Sequence, residues 1–144
     1  MEKRMKIFEV EPEGYKALVG LEIYVNKTEL THTHKELIKI RTSQINGCAF
    51  CLDMHTKDAR KYGETEQRIY TLNAWRDTPF FTPEEQALLA LAEEVAQISG
   101  HVKDETFKRA VELLGEKYVA QAIILMVAIN SWNRIAISTG MMPA

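Results

Sequence analysis

The sequence predicts an all-α protein. Apolar residues recur at intervals of three and four through most of the chain, helix start and stop signals punctuate those runs, and no alternating strand pattern of useful length occurs.

Taken in order, Tyr15, Leu18, Val19 and Ile23 follow Pro12 at helical spacing and predict a first helix over about residues 12 to 26. Leu37, Ile38, Ile40 and Ile45 predict a second over about 33 to 45, ended by Asn46-Gly47, which tolerate the left-handed backbone of a helix stop. A third starts at Cys48-Ala49-Phe50-Cys51 and stops at Gly63. Thr65 opens a short fourth segment through Ile69 and Leu72, closed by Thr78-Pro79. Thr82-Pro83-Glu84-Glu85 is a strong start signal, with Thr82 as N-cap, Pro83 in the first turn and Glu85 placed to complete a capping box. Leu88, Leu91, Ala92 and Val95 then share one face, and Gly100 marks the end. Phe107, Ala110, Val111 and Leu114 repeat the pattern after Asp104, with Gly115 as terminator. The last helix, about 116 to 138, is apolar on nearly all sides from Val119 to Ile129, as befits a helix at the centre of a core or shared with a second subunit.

With 144 residues the chain is expected to form a single domain, 1–144. A folded chain of that size buries roughly 70% of its unfolded surface. The net charge of −2 and the interspersed acids and bases give no basic stripe, so no nucleic-acid partner is expected. Met1-Glu2-Lys3-Arg4-Met5-Lys6 leads into acids rather than an apolar run, unlike a secretory signal, which points to the cytoplasm. The longest charge-free stretch, Tyr118 to Asn133, contains Gln121, Asn130, Ser131 and Asn133. It falls short of the roughly 20 apolar residues of a membrane span, so no membrane partner is expected.

The chain has two cysteines, Cys48 and Cys51, three apart. A disulfide across so short a loop removes little chain entropy, so stapling the fold is a poor reason for the pair. Redox chemistry or a metal is the better reason. On the first two turns of a helix entered through Gly47, spacings of three and four bring Cys51 to both Cys48 and His55. Helix N-terminal amides and a nearby imidazolium favour thiolate over thiol, and a thiolate attacks peroxide oxygen. With Cys51 attacking, a sulfenic acid forms and Cys48 condenses with it to a disulfide, which an external dithiol resets. Histidine is the side chain whose unperturbed pKa lies near working pH, so His55 is a candidate base and charge partner. Glu36, on the preceding helix, is a candidate to orient it or accept its proton.

The array Glu36, eleven residues, Cys48, two residues, Cys51, three residues, His55 resembles the core motif of the AhpD-like alkylhydroperoxidases in the carboxymuconolactone decarboxylase superfamily. Its flanks agree: Ser43-Gln44-Ile45-Asn46-Gly47-Cys48, Trp75-Arg76-Asp77-Thr78, Phe81-Thr82-Pro83-Glu84-Glu85 and Asn130-Ser131-Trp132-Asn133-Arg134. The resemblance spans roughly residues 30 to 139. It implies an AhpD-like bundle of about six to seven helices, assembly as a homo-oligomer (trimer or hexamer), and cofactor-free peroxidase or disulfide-reductase activity on organic hydroperoxides in antioxidant defence, with an external dithiol or protein as reductant. It also implies Cys51 as the sulfenic acid former, Cys48 as its partner, and Glu36 and His55 as the proton relay. Certain members carry a His between the cysteines where this chain has Phe50. The decarboxylase branch generally lacks the thiol pair.

Blander readings remain open at this level. The cysteines also read as small buried hydrophobes, or with His55 as zinc ligands in a redox-sensing or zinc-binding module, Glu36, another His or water completing the set. A decarboxylase or isomerase on the same fold is a further alternative. Thr33-His34-Lys35-Glu36 is itself a capping-box pattern that would give Glu36 a purely structural task. His55 reads alternatively as a surface residue paired with Asp53 or Asp58. His32, His34 and His101 sit in polar, loop-like contexts. Trp75, Phe80 and Phe81 are expected to pin a connector to the core rather than line an entrance. Trp132 is expected in the core or an interface, Asn130 and Arg134 on buried polar groups, and Met141-Met142 in a mobile tail.

Overall fold

The computed structural model describes residues 2–144. Among them every regular element is helical: α1 (Ile7–Val10), α2 (Pro12–Val25), α3 (His32–Asn46), α4 (Ala49–Lys61), α5 (Glu66–Thr71), α6 (Pro83–Ala96), α7 (Asp104–Leu114) and α8 (Glu116–Thr139). Two 3-10 segments, Leu72–Asp77 and Ile98–Gly100, extend α5 and α6. The seven expected helices are present within a few residues of their limits. The addition is α1, a single turn with no buried residue and hence no apolar periodicity to betray it.

Local chemistry sets the ends. Thr82 accepts the Glu85 N–H at 3.2 Å while Glu85 Oε2 accepts the Thr82 N–H at 3.1 Å, the reciprocal capping box read from the sequence. The start of α3 differs from expectation. Thr31, not Thr33, caps it by accepting the His34 N–H at 3.1 Å, which places Glu36 beyond the capping position. The capping role for Glu36 is thereby overturned, and its side chain is released for the interior.

α3 packs against α4, α6 and α8 and is the central element. On one side Val25, Ile38, Leu88, Leu91, Leu125 and Met126 build a core from α2, α3, α6 and α8. On another, Leu37, Ile40, Leu72, Trp75, Phe81 and Leu89 form a second cluster. Trp75 and Phe81 thus pin the connector, as expected. Trp75 is also tied by its indole N–H, which donates to Glu93 Oε1 at 2.8 Å; Arg41 and Arg76 donate to the same carboxylate at 2.9 and 2.6 Å. The Glu93 carboxyl is buried, which raises its pKa, but the bonds from Arg76, Trp75 and Arg41 outweigh burial and hold it below the usual range.

α8 is long and apolar enough by composition to cross a membrane. Val119, Ala122, Leu125, Met126 and Ile129 are instead buried against the other helices, so its apolarity serves the core. The ends of the described chain meet beside α8. Arg4 donates its N–H to the Thr139 carbonyl at 3.0 Å and its guanidinium to the Ser138 carbonyl at 2.9 Å.

Candidate functional site

The site begins at the turn between α3 and α4. Gly47 caps α3 at φ +71°, a conformation that disfavours any side chain, and directs the chain into α4. Cys48 is the N-cap of α4, its Sγ accepting the Cys51 N–H at 3.3 Å. The two cysteines are joined in a disulfide, with Cα atoms 5.3 Å apart.

Polar side chains anchor this turn to α8. Asn46 donates through Nδ2 to both Asn130 and Asn133 Oδ1, each at 2.9 Å, and Asn133 donates in turn to Ser43 Oγ at 3.0 Å. Two sequence stretches read separately, Ser43–Cys48 and Asn130–Arg134, therefore close into one network under the cysteines. Arg134 stays exposed and joins the rim of that network, donating to the Asn130 carbonyl at 3.1 Å and to Asn130 Oδ1 at 3.2 Å.

His55 lies one turn beyond Cys51 and is buried, not on the surface; Asp53 pairs with Lys57 instead, at 2.8 Å. Its Nδ1 is 3.5 Å from Glu36 Oε2, and neither atom has a nearer partner among the described residues. Both lie more than nine-tenths out of solvent. Lys39 follows one turn after Glu36, its ammonium 3.7 Å from Glu36 Oε1 and 3.3 Å from Glu22 Oε1. Burial pushes the Glu36 carboxyl up, but the His55 contact and the Lys39, His55 and Lys35 charges outweigh it, so the group sits below the ordinary carboxylate range. Glu22 also accepts the Trp132 indole N–H at 3.2 Å, extending the chain of contacts across the site.

These groups open onto a cavity of about 500 Å³, a size suited to a small organic molecule. Cys51 borders it and Cys48 does not. Phe50, Met54, Trp132, Ile135, Ala136 and Met141 supply apolar wall; Glu22, Lys35, Glu36, Lys39, His55, Asp58 and Lys61 supply the charged part. Trp132 is thus a cavity wall rather than core. Met141 is no mobile tail: its N–H donates to the Ala136 carbonyl at 2.9 Å and its side chain packs on the cysteine cluster.

His32 stacks on Tyr62 at 4.2 Å on the cavity wall. His34 Nδ1 and the Tyr118 hydroxyl are 2.6 Å apart, and burial holds that imidazole below the usual histidine range despite Glu85 and Glu84. His101 lies outside the cavity. Lys35, Lys39 and Glu22 escaped the sequence reading as site residues, and Asp58 entered it only as a surface partner for His55. A Glu-Lys pair three apart on a helix was the one available signal, and surface helices are full of such pairs.

Glu36, His55 and Asp58 bring one ligand atom each to within 4.8 Å of one another, and they are the described residues best placed to hold a metal. The Lys39 ammonium beside Glu36 opposes a cation there. The zinc set of Cys48, Cys51 and His55 is not available in this state, because the disulfide withholds both sulfurs.

The carboxymuconolactone decarboxylase family model matches residues 12–94, which contain all four residues of the array. The chain belongs to this family. It is 48% identical to the uncharacterized protein YdfG of Bacillus subtilis (strain 168) over 141 residues, covering 97% of this chain and 96% of that one. A crystal structure of a protein of unknown function from Agrobacterium tumefaciens, described as a candidate antioxidant defence protein AhpD, superposes with a TM-score of 0.96 at 36% identity, covering 99% of each chain. An uncharacterized peroxidase-related protein of Ralstonia eutropha, described as an alkylhydroperoxidase AhpD core, shares the fold with a TM-score of 0.82 at 21% identity, over 95% of this chain and 74% of that one. The AhpD-like helical fold of this chain follows from these matches.

Proposed function

We propose that this protein is a thiol-dependent peroxidase that reduces organic hydroperoxides through Cys51 and Cys48. The carrying observation is that the disulfide sits at a helix start with one sulfur, Cys51, on the wall of a cavity shared with the paired His55 and Glu36.

In the reduced protein His55 draws the proton from Cys51, and Glu36, held ionised by Lys39, stabilises the imidazolium. The Cys51 thiolate attacks the distal peroxide oxygen. A sulfur–oxygen bond forms, the oxygen–oxygen bond breaks, and the alkoxide leaves with the proton from His55 as an alcohol. Cys48 then attacks the Cys51 sulfenic acid, expelling water and forming the disulfide. One hydroperoxide and two thiols thus yield one alcohol, one water and one disulfide.

An external dithiol restores the pair by attacking Cys51, the sulfur that borders the cavity. Cys48 leaves as a thiolate, and its place as helix N-cap, accepting the Cys51 N–H, stabilises the charge on departure.

The test is turnover of cumene hydroperoxide with dithiothreitol as reductant. Cys51→Ser is expected to abolish it in a protein of unchanged helical content. Retained turnover in that variant would overturn the mechanism, and so would a wild-type protein with no turnover.

A further inference from the structure

The cavity has a charged side and an apolar side. Glu22 of α2 and Lys35, Glu36 and Lys39 of α3 supply most of the charge, with Asp58 and Lys61 two turns or more beyond Cys51 on α4. The apolar side is shared by α4 and α8. Phe50 and Met54, four residues apart, form one stripe of α4, and Cys51 and His55, also four apart, form the stripe beside it. On α8, Ile129, Trp132 and Ala136 recur at intervals of three and four and face the same space. The two helices meet at Ala136, which packs in one cluster with Phe50 and both cysteines. An apolar wall thus begins at the disulfide and continues along α8 to Trp132.

That wall is fixed in place and left open. The Trp132 indole N–H donates to Glu22 Oε2 at 3.2 Å, and the ring meets Tyr15 edge-on with centroids 5.4 Å apart. Phe50 and Trp132 are only partly buried, and Met54 is 40% exposed. Apolar surface facing a cavity contributes little to the core, and it favours any apolar body that covers it. Hydrogen peroxide is close in size to water, whose share of liquid volume is roughly 30 Å³. It would leave most of this wall bare in a cavity of about 500 Å³.

From this arrangement we propose that Phe50 is a specificity-determining residue that selects hydroperoxides bearing an aromatic ring, the ring lying on Phe50 and Trp132 while the peroxide faces Cys51. The bond changes at sulfur are those given above, and the ring-bearing body leaves as its alcohol. The substrate assignment rests on the peroxidase reading; the ring contact rests on the wall alone.

Two measurements separate those parts. Cumene hydroperoxide and tert-butyl hydroperoxide both carry the peroxide on a tertiary carbon and differ by a phenyl group in place of a methyl. Burial of the phenyl predicts kcat/KM at least about tenfold higher for cumene hydroperoxide, after division by the same ratio for free dithiothreitol. Phe50→Ala is expected to cut that preference at least about threefold, and Phe50→Leu, which keeps apolar packing on the cysteines, by a smaller factor. A wild-type ratio near one, or a ratio unchanged in whichever variants fold, would overturn the assignment to Phe50.

The second measurement is calorimetric binding of the two product alcohols, 2-phenyl-2-propanol and tert-butanol, to the disulfide form of the full chain. The phenyl alcohol is expected to bind at least about tenfold tighter, and Phe50→Ala to shrink the difference as it does in turnover. Equal binding of the two, or no measurable binding of the phenyl alcohol, would overturn the ring contact. Selective binding by a protein that turns over neither hydroperoxide would leave the ring contact standing and overturn the peroxide reading.

Discussion

Asn46 Nδ2 donates to Asn133 Oδ1 at 2.9 Å, so the last residue of α3 is bonded to a fully buried amide on α8 eighty-seven positions later. That bond, with those to Asn130 and Ser43, decides where the cysteine turn sits. Asn133→Ala leaves the Ser43 hydroxyl and the Asn46 amide short of a partner and is expected to destabilise the fold by about 1–3 kcal/mol. Urea denaturation of both proteins measures it, and an unchanged midpoint would show the network to be idle.

Gly140 is expected to resist substitution for two separate reasons. Its φ is +70°, and a Cβ there would collide with the Glu2 carbonyl oxygen. Gly140→Ala should therefore lower the melting temperature, with a loss of at least about 1 kcal/mol from the left-handed backbone alone. It should also free the N-terminal strap, so that trypsin cuts after Lys3 and Arg4 sooner than in wild type.

The Glu36 carboxyl titrates lower in the folded chain than in the unfolded one, whose value is near 4.5. Its ionised form therefore stabilises the native state above that pH, and the stabilisation fades as the pH falls below 4.5 through the folded value. Melting temperatures of wild type and Glu36→Gln should differ most near neutrality and converge in acid. A gap that is constant with pH would mean that the charge at Glu36 contributes nothing.

If Cys48 resolves the sulfenic acid, Cys48→Ser should stall after one oxidation. Hydroperoxide treatment of that variant is expected to leave Cys51 as a sulfenic acid that dimedone traps, whereas wild type shows only the loss of two hydrogens by mass spectrometry. An unlabelled Cys48→Ser variant, with dimedone trapped on Cys48 in Cys51→Ser, would reverse the two roles.

His55→Gln keeps a polar side chain of similar reach and removes the imidazole base. The loss of a general base is expected to lower kcat/KM at pH 7 by about 10² or more. Raising the pH should recover part of the loss, because the thiol then ionises unaided. A rate unaffected by the substitution would leave His55 with a packing role only.

The helices were legible because each carries its own punctuation. Thr82, Pro83 and Glu85 announce α6 within four residues, and Gly47 and Gly115 close α3 and α7 from local backbone preference; α6 ends earlier than Gly100 suggested, at Gln97, and the positive φ there falls on His101. The start of α3 misled because Thr31 and Thr33 are equally good caps in isolation. The choice of Thr31 is made by packing that also carries Glu36 inward and sets the Tyr118 hydroxyl to accept the Thr31 N–H at 3.1 Å.

The pairing of His55 with Glu36 was readable as an array but not as a distance. The charges around it were not readable at all. Lys35 and Lys39 look like any solvated lysines, and only the fold shows that helix α2 and helix α8 roof them over. Tertiary enclosure, rather than residue type, makes them part of the site.

The two tryptophans of the chain occupy contrasting surroundings: Trp75 lies in a closed cluster with its indole on Glu93, and Trp132 faces the cavity with its indole on Glu22. Their fluorescence should therefore divide the molecule's behaviour between them. With Trp75 replaced by Phe, emission would follow occupancy beside Cys51; with Trp132 replaced, it would follow unfolding of the interior. The protein supplies its own two optical gauges, one for what enters and one for what holds together.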